Sequence, residues 1–339
     1  MAVMASKLSK SLKRTVVSTD GDLARRPSGF TGSVFPVPTA WESLHFVRGA
    51  AETDEPMGSK EKWWVDLPMF GERQWLLKLA RLDELDGTVS GEDWAEWTVH
   101  QLAEQLGVPS ATVRPALLEG RRAIVSRSVL RDQLEYLDHG NSVLSAKFAD
   151  YDQSVQGENQ GYTLVAVRDA LSDVGPPADT EWPGAFTAFD VWAGYLLMDA
   201  WVAGCDRHHE NWAVILRGGE RRLAPSFDHG NALGFQERDE RRVRMLDDDA
   251  HMMRWVERGT SHHFARKPKL TELAWRALDL ASGAARNFWI ERLDAVPEDA
   301  VHSVVSQVPR GIMSEVTHTF VVRLLATNRR RLLDGYTSS

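Results

Sequence analysis

The stretch that most limits what this chain can fold into runs from Gly204 to Gly230, G-C-D-R-H-H-E-N-W-A-V-I-L-R-G-G-E-R-R-L-A-P-S-F-D-H-G. A polar knot of Asp206, His208, His209 and Asn211 follows directly on a long apolar helical pattern. Apolar residues Trp212 to Leu216 then lead to Gly218-Gly219, and the chain runs back through Leu223 and Phe227 to Asp228. Two apolar runs joined by Gly-Gly read as a β-hairpin. With the two glycines at the tip, position 211 faces position 226, so Asn211 and Asp228 return to nearly the same place with Asp206 close by. An amide and two carboxylates at one hairpin mouth form an oxygen-rich set suited to Mg²⁺.

The rest of the chain has to supply a partner for that mouth. Lys78 sits inside W-L-L-K-L-A and is the only lysine between Lys62 and Lys147. A strand there places its ammonium on a partly buried face, although an edge lysine snorkelling to solvent would show the same local pattern. Residues 91–106 read as a helix with Ser90 as N-cap, Glu92 and Asp93 in its first turn, and Gly107 ending it. On that helix Glu96 shares a face with Val99 and Ala103. A carboxylate on a core-facing stripe needs a partner, and Lys78 is the available cation. Gly58-Ser59-Lys60, in the loop 49–60, offers backbone N–H groups and a positive charge to phosphates. An ordinary strand connection fits that loop equally well.

The surrounding pattern gives a small β-rich unit followed by a larger helical one. Residues 1–40 carry Gly, Pro and Ser without periodicity and read as a tail or arm. Strand patterns fall at 43–47, 61–67, 74–80, 112–118 and 122–129, the first three suggesting an antiparallel sheet; with the helix they form a compact lobe over 41–128. The remainder, 129–339, is mainly helical, with patterns at 163–173, 184–203, 270–293, 298–307 and 314–334. Segment 130–162 has no clear pattern, and the charged segment 236–268 is expected to cover or border the site. The expected fold class is therefore α+β and bilobal. A zinc site from Cys205, His208 and His209 does not match a tetrahedral spacing, and His262-His263 read as solvated loop residues.

Composition excludes several functions. A chain of 339 residues with net charge −8 is poorly suited to non-specific binding of nucleic acid or anionic membrane. The longest apolar stretch, Val191 to Gly204, is too short to span a bilayer and contains Asp199. One cysteine and no secretory h-region suggest a cytoplasmic protein. Thirteen scattered tryptophans read as packing residues rather than a ligand cage.

Taken together, D-R-H-H-E-N (206–211), L-A-P-S-F-D (223–228), the Glu-bearing helix E-W-T-V-H-Q-L-A-E-Q-L-G (96–107) and L-L-K-L-A resemble the HipA-like serine/threonine kinases of the protein-kinase-like superfamily. The D-R-H form adds a secondary similarity to phosphoinositide kinases. The resemblance implies an ATP- and Mg²⁺-dependent kinase acting on a hydroxyl acceptor, most simply protein Ser/Thr. It implies Asp206 as catalytic base, His208 supporting its loop, and Asn211 and Asp228 as metal ligands. It also implies Lys78 on the nucleotide phosphates, paired by Glu96, and a hinge with backbone groups near Ser126 to Ser128 facing the adenine. Glu210 stands where HipA-like loops usually have Lys, and His229 replaces the Phe of the ordinary D-F-G. A small-molecule or lipid-headgroup kinase, nucleotidyl transfer onto protein, and an inactive nucleotide-binding regulator remain as alternatives.

Overall fold

A computed structural model describes residues 36, 39–47, 53–54, 61–82, 87–155 and 157–337. Gly58, Ser59 and Lys60, expected at the phosphates, lie outside the described residues.

The described N-terminal strands are β1 (Leu44–Phe46), β2 (Thr53–Asp54), β3 (Lys62–Asp66), β4 (Gln74–Leu79), β5 (Val113–Leu118) and β6 (Arg121–Arg127). They form one sheet in the order β1-β5-β6-β4-β3-β2. The five expected strands are present, and β2 adds a two-residue sixth strand within the loop that follows β1. β3 and β4 pair antiparallel as expected, but β1 does not join them. It lies parallel to β5 at the far edge, a placement that the short local connections do not encode.

Strand alternation divides the sheet into two faces. Trp63, Val65, Trp75, Leu77, Leu79, Ala123 and Val125 point one way and close a small core of their own with Ala116 and Leu118. Lys78, opposite Ile124, and Leu76, opposite Ser126, point the other way. Against that second face packs helix α1 (Glu92–Leu106).

Helix α1 starts differently from expectation. Its N-cap is Gly91 with no side-chain cap, and the Ser90 amide instead bonds the Arg81 carbonyl. Glu92 and Asp93 stand in the first turn as read, and Asp93 is buried against Arg122. The helix ends as read, on Gly107 at φ 82°, a left-handed cap that favours glycine.

The C-terminal part is built around α4 (Ala188–Val202), every residue of which is buried. A helix apolar all round must be enclosed on all sides. A Thr187–Asp190 capping box starts it. At Gly194 a Cβ would come 2.3 Å from the Trp289 ring, so only glycine permits that approach. The 270–293 pattern is two helices, α7 (Leu270–Leu280) and α8 (Gly283–Ala295), because Ser282 caps a new start with its oxygen on the Ala285 amide. The other helices are α2 (Gly140–Lys147), α3 (Leu164–Ala170), α5 (Asp239–Asp247), α6 (Asp249–Arg258), α9 (Glu298–Ser306) and α10 (Glu315–Thr337). One continuous apolar core joins α1 to α4, α7, α8, α9 and α10.

The hairpin forms as expected from β8 (Ala213–Arg217) and β9 (Glu220–Leu223), with Gly218 and Gly219 at φ 56° and 91°. Arg217 faces Glu220 and Val214 faces Leu223, a register that extrapolates to 211 opposite 226. Segment 130–162, without a clear pattern in sequence, supplies a third strand, β7 (Tyr136–His139), on the far side of β8.

Candidate active site

Lys78 reaches across the cleft between the two parts. Its Nζ donates to Glu96 Oε1 at 3.1 Å and to Asp228 Oδ1 at 2.8 Å. Glu96 is 2% exposed on α1, above Val99 and Ala103, which are fully enclosed. Burial works against the ammonium's charge, yet Asp228 and Glu96 outweigh it and hold the Lys78 pKa above its ordinary value. It is a permanent cation, held by one carboxylate from each side of the cleft.

Asp228 adopts φ 59°, a left-handed conformation uncommon outside glycine but tolerated by Asp. The residues on either side hold it there. Ser226 exchanges backbone bonds with the loop after α1, its amide to Pro109 and its carbonyl from Ala111. His229 is buried with Nε2 2.7 Å from Ser226 Oγ. Burial, reinforced by the charge of Arg207, pushes the His229 pKa well below its usual value, so the ring is neutral. The position usually held by Phe is thus a neutral imidazole in a polar chain.

Arg207 anchors that chain. Its Nε and Nη2 donate to both Asp199 oxygens at 2.8 and 2.7 Å. Its Nη1 donates to the Asn211 carbonyl and to Ser226 Oγ, both at 2.9 Å. One buried guanidinium therefore pins the two ends of the hairpin together. Sequence reading passed over it, although Arg in the middle of D-R-H beside a buried helical Asp199 was an available signal.

Asp206, Asn211 and Asp228 line the same small cavity with Asn231 and His229. Asn211 donates from Nδ2 to the Asp206 carbonyl at 2.8 Å, which leaves its amide oxygen for a cation. His208 steadies the loop by accepting the Glu210 amide on Nδ1 at 3.2 Å. Burial lowers the His208 pKa. Glu210 turns away: its carbonyl contacts His139 Nδ1 and its carboxylate accepts from Asn141.

His263 corrects the sequence reading. Instead of lying in solvent it places Nε2 2.8 Å from Asp206 Oδ1. Burial alone would raise the Asp206 pKa, but the His263 bond and the charges of His208 and His263 outweigh it and hold the carboxyl below its ordinary range. His262 is exposed. Among the described residues no three His, Cys, Asp or Glu side chains come together as a metal site.

Ser126 is buried on the Lys78 face of the sheet. Beyond it, the amides of Arg127 and Ser128 are taken by the carbonyls of Thr112 and Gln74, and Ser128 Oγ accepts the Leu130 amide. Half-buried Trp64 and Leu76 flank this face opposite each other.

No protein-family model matches the sequence, and no curated protein matches it. Solved structures do share its shape. The Helicobacter pylori proinflammatory kinase CtkA superposes with a TM-score of 0.66 over 86% of this chain and 96% of its own, at 14% identity. HipA, from the Shewanella oneidensis MR-1 complex of HipA, HipB and operator DNA, gives 0.53 over 85% of this chain and 68% of its own, at 13% identity. The fold is thus a bilobal protein-kinase-like one. CtkA and HipA share that fold with this chain. No helix among the described residues is long and apolar enough to cross a membrane.

Proposed function

We propose that this protein is an ATP- and Mg²⁺-dependent kinase that moves the γ-phosphoryl group of ATP to a hydroxyl, with protein Ser/Thr the favoured acceptor. The observation that carries the proposal is the Lys78 ammonium shared between Glu96 and Asp228, with Asp206 and Asn211 at the same mouth. Nucleotide phosphates entering the cleft take the place of Asp228 on Lys78, while Glu96 keeps the ammonium aimed. Trp64, Leu76 and Ile124, on the face beside Lys78, offer an apolar wall to the base.

The oxygen donors Asn211 Oδ1 and Asp228 fit Mg²⁺, whose charge would neutralise that building on the phosphate oxygens. Asp206, ionised at neutral pH, orients the acceptor hydroxyl and accepts its proton as the acceptor oxygen bonds to the γ-phosphorus. The bond from that phosphorus to the β–γ bridging oxygen breaks, and ADP leaves with the electron pair.

Protein is favoured over lipid because the chain carries a net charge of −8, which disfavours an anionic membrane. The same charge argues against nucleic acid as a partner. The test is incubation of the wild type and Asp206→Ala with γ-labelled ATP, Mg²⁺ and cell lysate. A labelled protein band lost in the variant is the expected result. A labelled small molecule would move the acceptor class, and a thermal shift with Mg-ATP but no labelled product would identify a nucleotide-binding regulator.

A further inference from the structure

Accepting Asp206 as the group that meets the acceptor, we propose that His263 is its positioning residue. Its ring N–H holds Oδ1 so that Oδ2 is the oxygen offered to the acceptor hydroxyl. Against a carboxylate oxygen at 2.8 Å the imidazole nitrogen must carry the proton, so Nε2 donates. A carboxylate bonded on one oxygen has lost rotation about its last torsion, and its second oxygen points in one direction. In the transfer step the acceptor proton passes to Oδ2, and His263 keeps its own proton on Nε2, donated to Oδ1. No net charge moves onto the ring.

The loop that carries His263 is built to hold it. Phe264, the next residue, is 2% exposed and packs on the Tyr162 ring at 4.1 Å between centroids. The His263 carbonyl accepts the Asn159 amide at 2.9 Å, and the His262 amide donates to the Cys205 carbonyl, one residue before Asp206. The Ala265 amide bonds the Tyr162 carbonyl at 3.0 Å. The hydroxyl of that same tyrosine donates to the Arg207 carbonyl, one residue after Asp206, at 3.0 Å. Tyr162 is therefore a common post: its backbone fixes the histidine's loop and its side chain fixes the aspartate's loop.

Trp212 Nε1 donates to the Tyr162 hydroxyl at 3.0 Å and buries the post. A swinging gate would not be tied on both sides of the moving residue. These contacts describe a fixed dyad, in which the partners are registered to one buried ring.

The dyad also explains a sequence feature that the phosphate chemistry leaves unused. The segment 236–268 is heavily charged, yet it contains the apolar Phe264 directly after His262-His263. Phe264 is buried in a stretch of mostly polar residues, and what it anchors is the residue before it.

The test uses the full chain as wild type, Asp206→Ala, His263→Ala and His263→Gln, the last retaining an N–H donor on a side chain of comparable reach. In steady state with Mg-ATP and the labelled acceptor, His263→Ala is expected to lower kcat about 30- to 100-fold, the scale of a misplaced catalytic group. KM for ATP should stay within about twofold, since His263 touches none of the groups assigned to the nucleotide. His263→Gln should recover most of the loss. Separately, long-range ¹H–¹⁵N spectra of ¹⁵N-histidine-labelled protein should show His263 protonated on Nε2, with that preference lost in Asp206→Ala.

An active wild type whose kcat is unchanged or raised by His263→Ala overturns the proposal, as does a glutamine variant no better than alanine. So does an Nε2 preference indifferent to Asp206. A wild type that transfers phosphate to nothing would instead overturn the kinase reading, and with it any positioning role, even if the Nε2 signature were present.

Discussion

Lys78 and Arg207 are both cations held by carboxylates, and they differ in what their partners are free to do. Arg207 is 4% exposed and Asp199 9%, and the Nη1 donors go to Asn211 and Ser226. Burial opposes its charge, and the paired bonds to Asp199 outweigh burial. Asp199 and Arg207 reach the wall of the cavity that holds Asp228, but both are committed to protein partners there. Lys78 is 11% exposed, but its partner Asp228 is 44% exposed and faces the cleft. One system is closed and holds the hairpin mouth together. The other is open on one side, and an incoming anion can exchange with Asp228 there. Similar ion-pair chemistry serves as scaffold or as receptor according to whether one carboxylate is wet.

The largest effect expected from that contrast is on turnover. Asp228→Asn should lower phosphoryl transfer at least about 10³-fold, roughly 4 kcal/mol in barrier, while the melting temperature changes little. A variant with strong residual turnover would remove Asp228 from the receptor side. Next, Arg207→Met should cost about 3–5 kcal/mol of unfolding free energy in urea titration, because Asp199 is left buried and unpaired. Arg207→Met with Asp199→Leu should recover much of that stability without recovering activity, since the Asn211 and Ser226 bonds stay lost. If the double variant were as unstable as the single one, the closed system would not be an ordinary buried pair.

Glu96→Gln tests the half of the Lys78 site that does not exchange. It should weaken Mg-ATP binding about 10-fold by calorimetry, with a small effect on stability because Asp228 still holds the ammonium. The smallest effect concerns pH. The Asp206 pKa is lower folded than unfolded, so its contribution to stability is present above the ordinary carboxylate pKa, about 4. It is lost as pH falls through the lower folded value. The stability difference between wild type and Asp206→Asn should thus be present at neutral pH and shrink to nothing in strong acid. A difference that grew on acidification would reverse the sign assigned to Asp206.

Much of the site is legible in the order of the residues alone. The Gly-Gly tip sets the hairpin register by counting, which is why Asn211 and Asp228 converge. Lys78 and Glu96 can be matched because a buried carboxylate needs a cation and the region holds one lysine. The features that escape such a reading share a physical cause: their partners are distant in sequence and leave no periodic trace. β1 pairs with β5 rather than its neighbour in the chain, and backbone pairing partners are not written in side-chain alternation. His263 lies 57 residues from Asp206, in a segment where charge masks the Phe264 anchor. The break between α7 and α8 is legible in principle, since Ser282-Gly283 is a start signal, but the apolar spacing on both sides conceals it. Ser90 is not the cap because the helix begins at Glu92 and the cap position falls on Gly91, one residue further on.

Helix α1 has a consequence for regulation. Trp94, Trp97, Val99, Leu102 and Leu106 are buried in the same core as α4 and α8. Beyond the helix, Ala111 and Ser226 share a backbone bond, and Arg292 caps the Leu106 carbonyl. Withdrawing several such side chains costs roughly 1.5–3 kcal/mol each, well beyond the ~5.5 kcal/mol differential that inverts a two-state population. The Lys78–Glu96 pair therefore has a single resident state. Rotating α1 outward would have to break that shared core, and the space behind the helix is filled by its side chains.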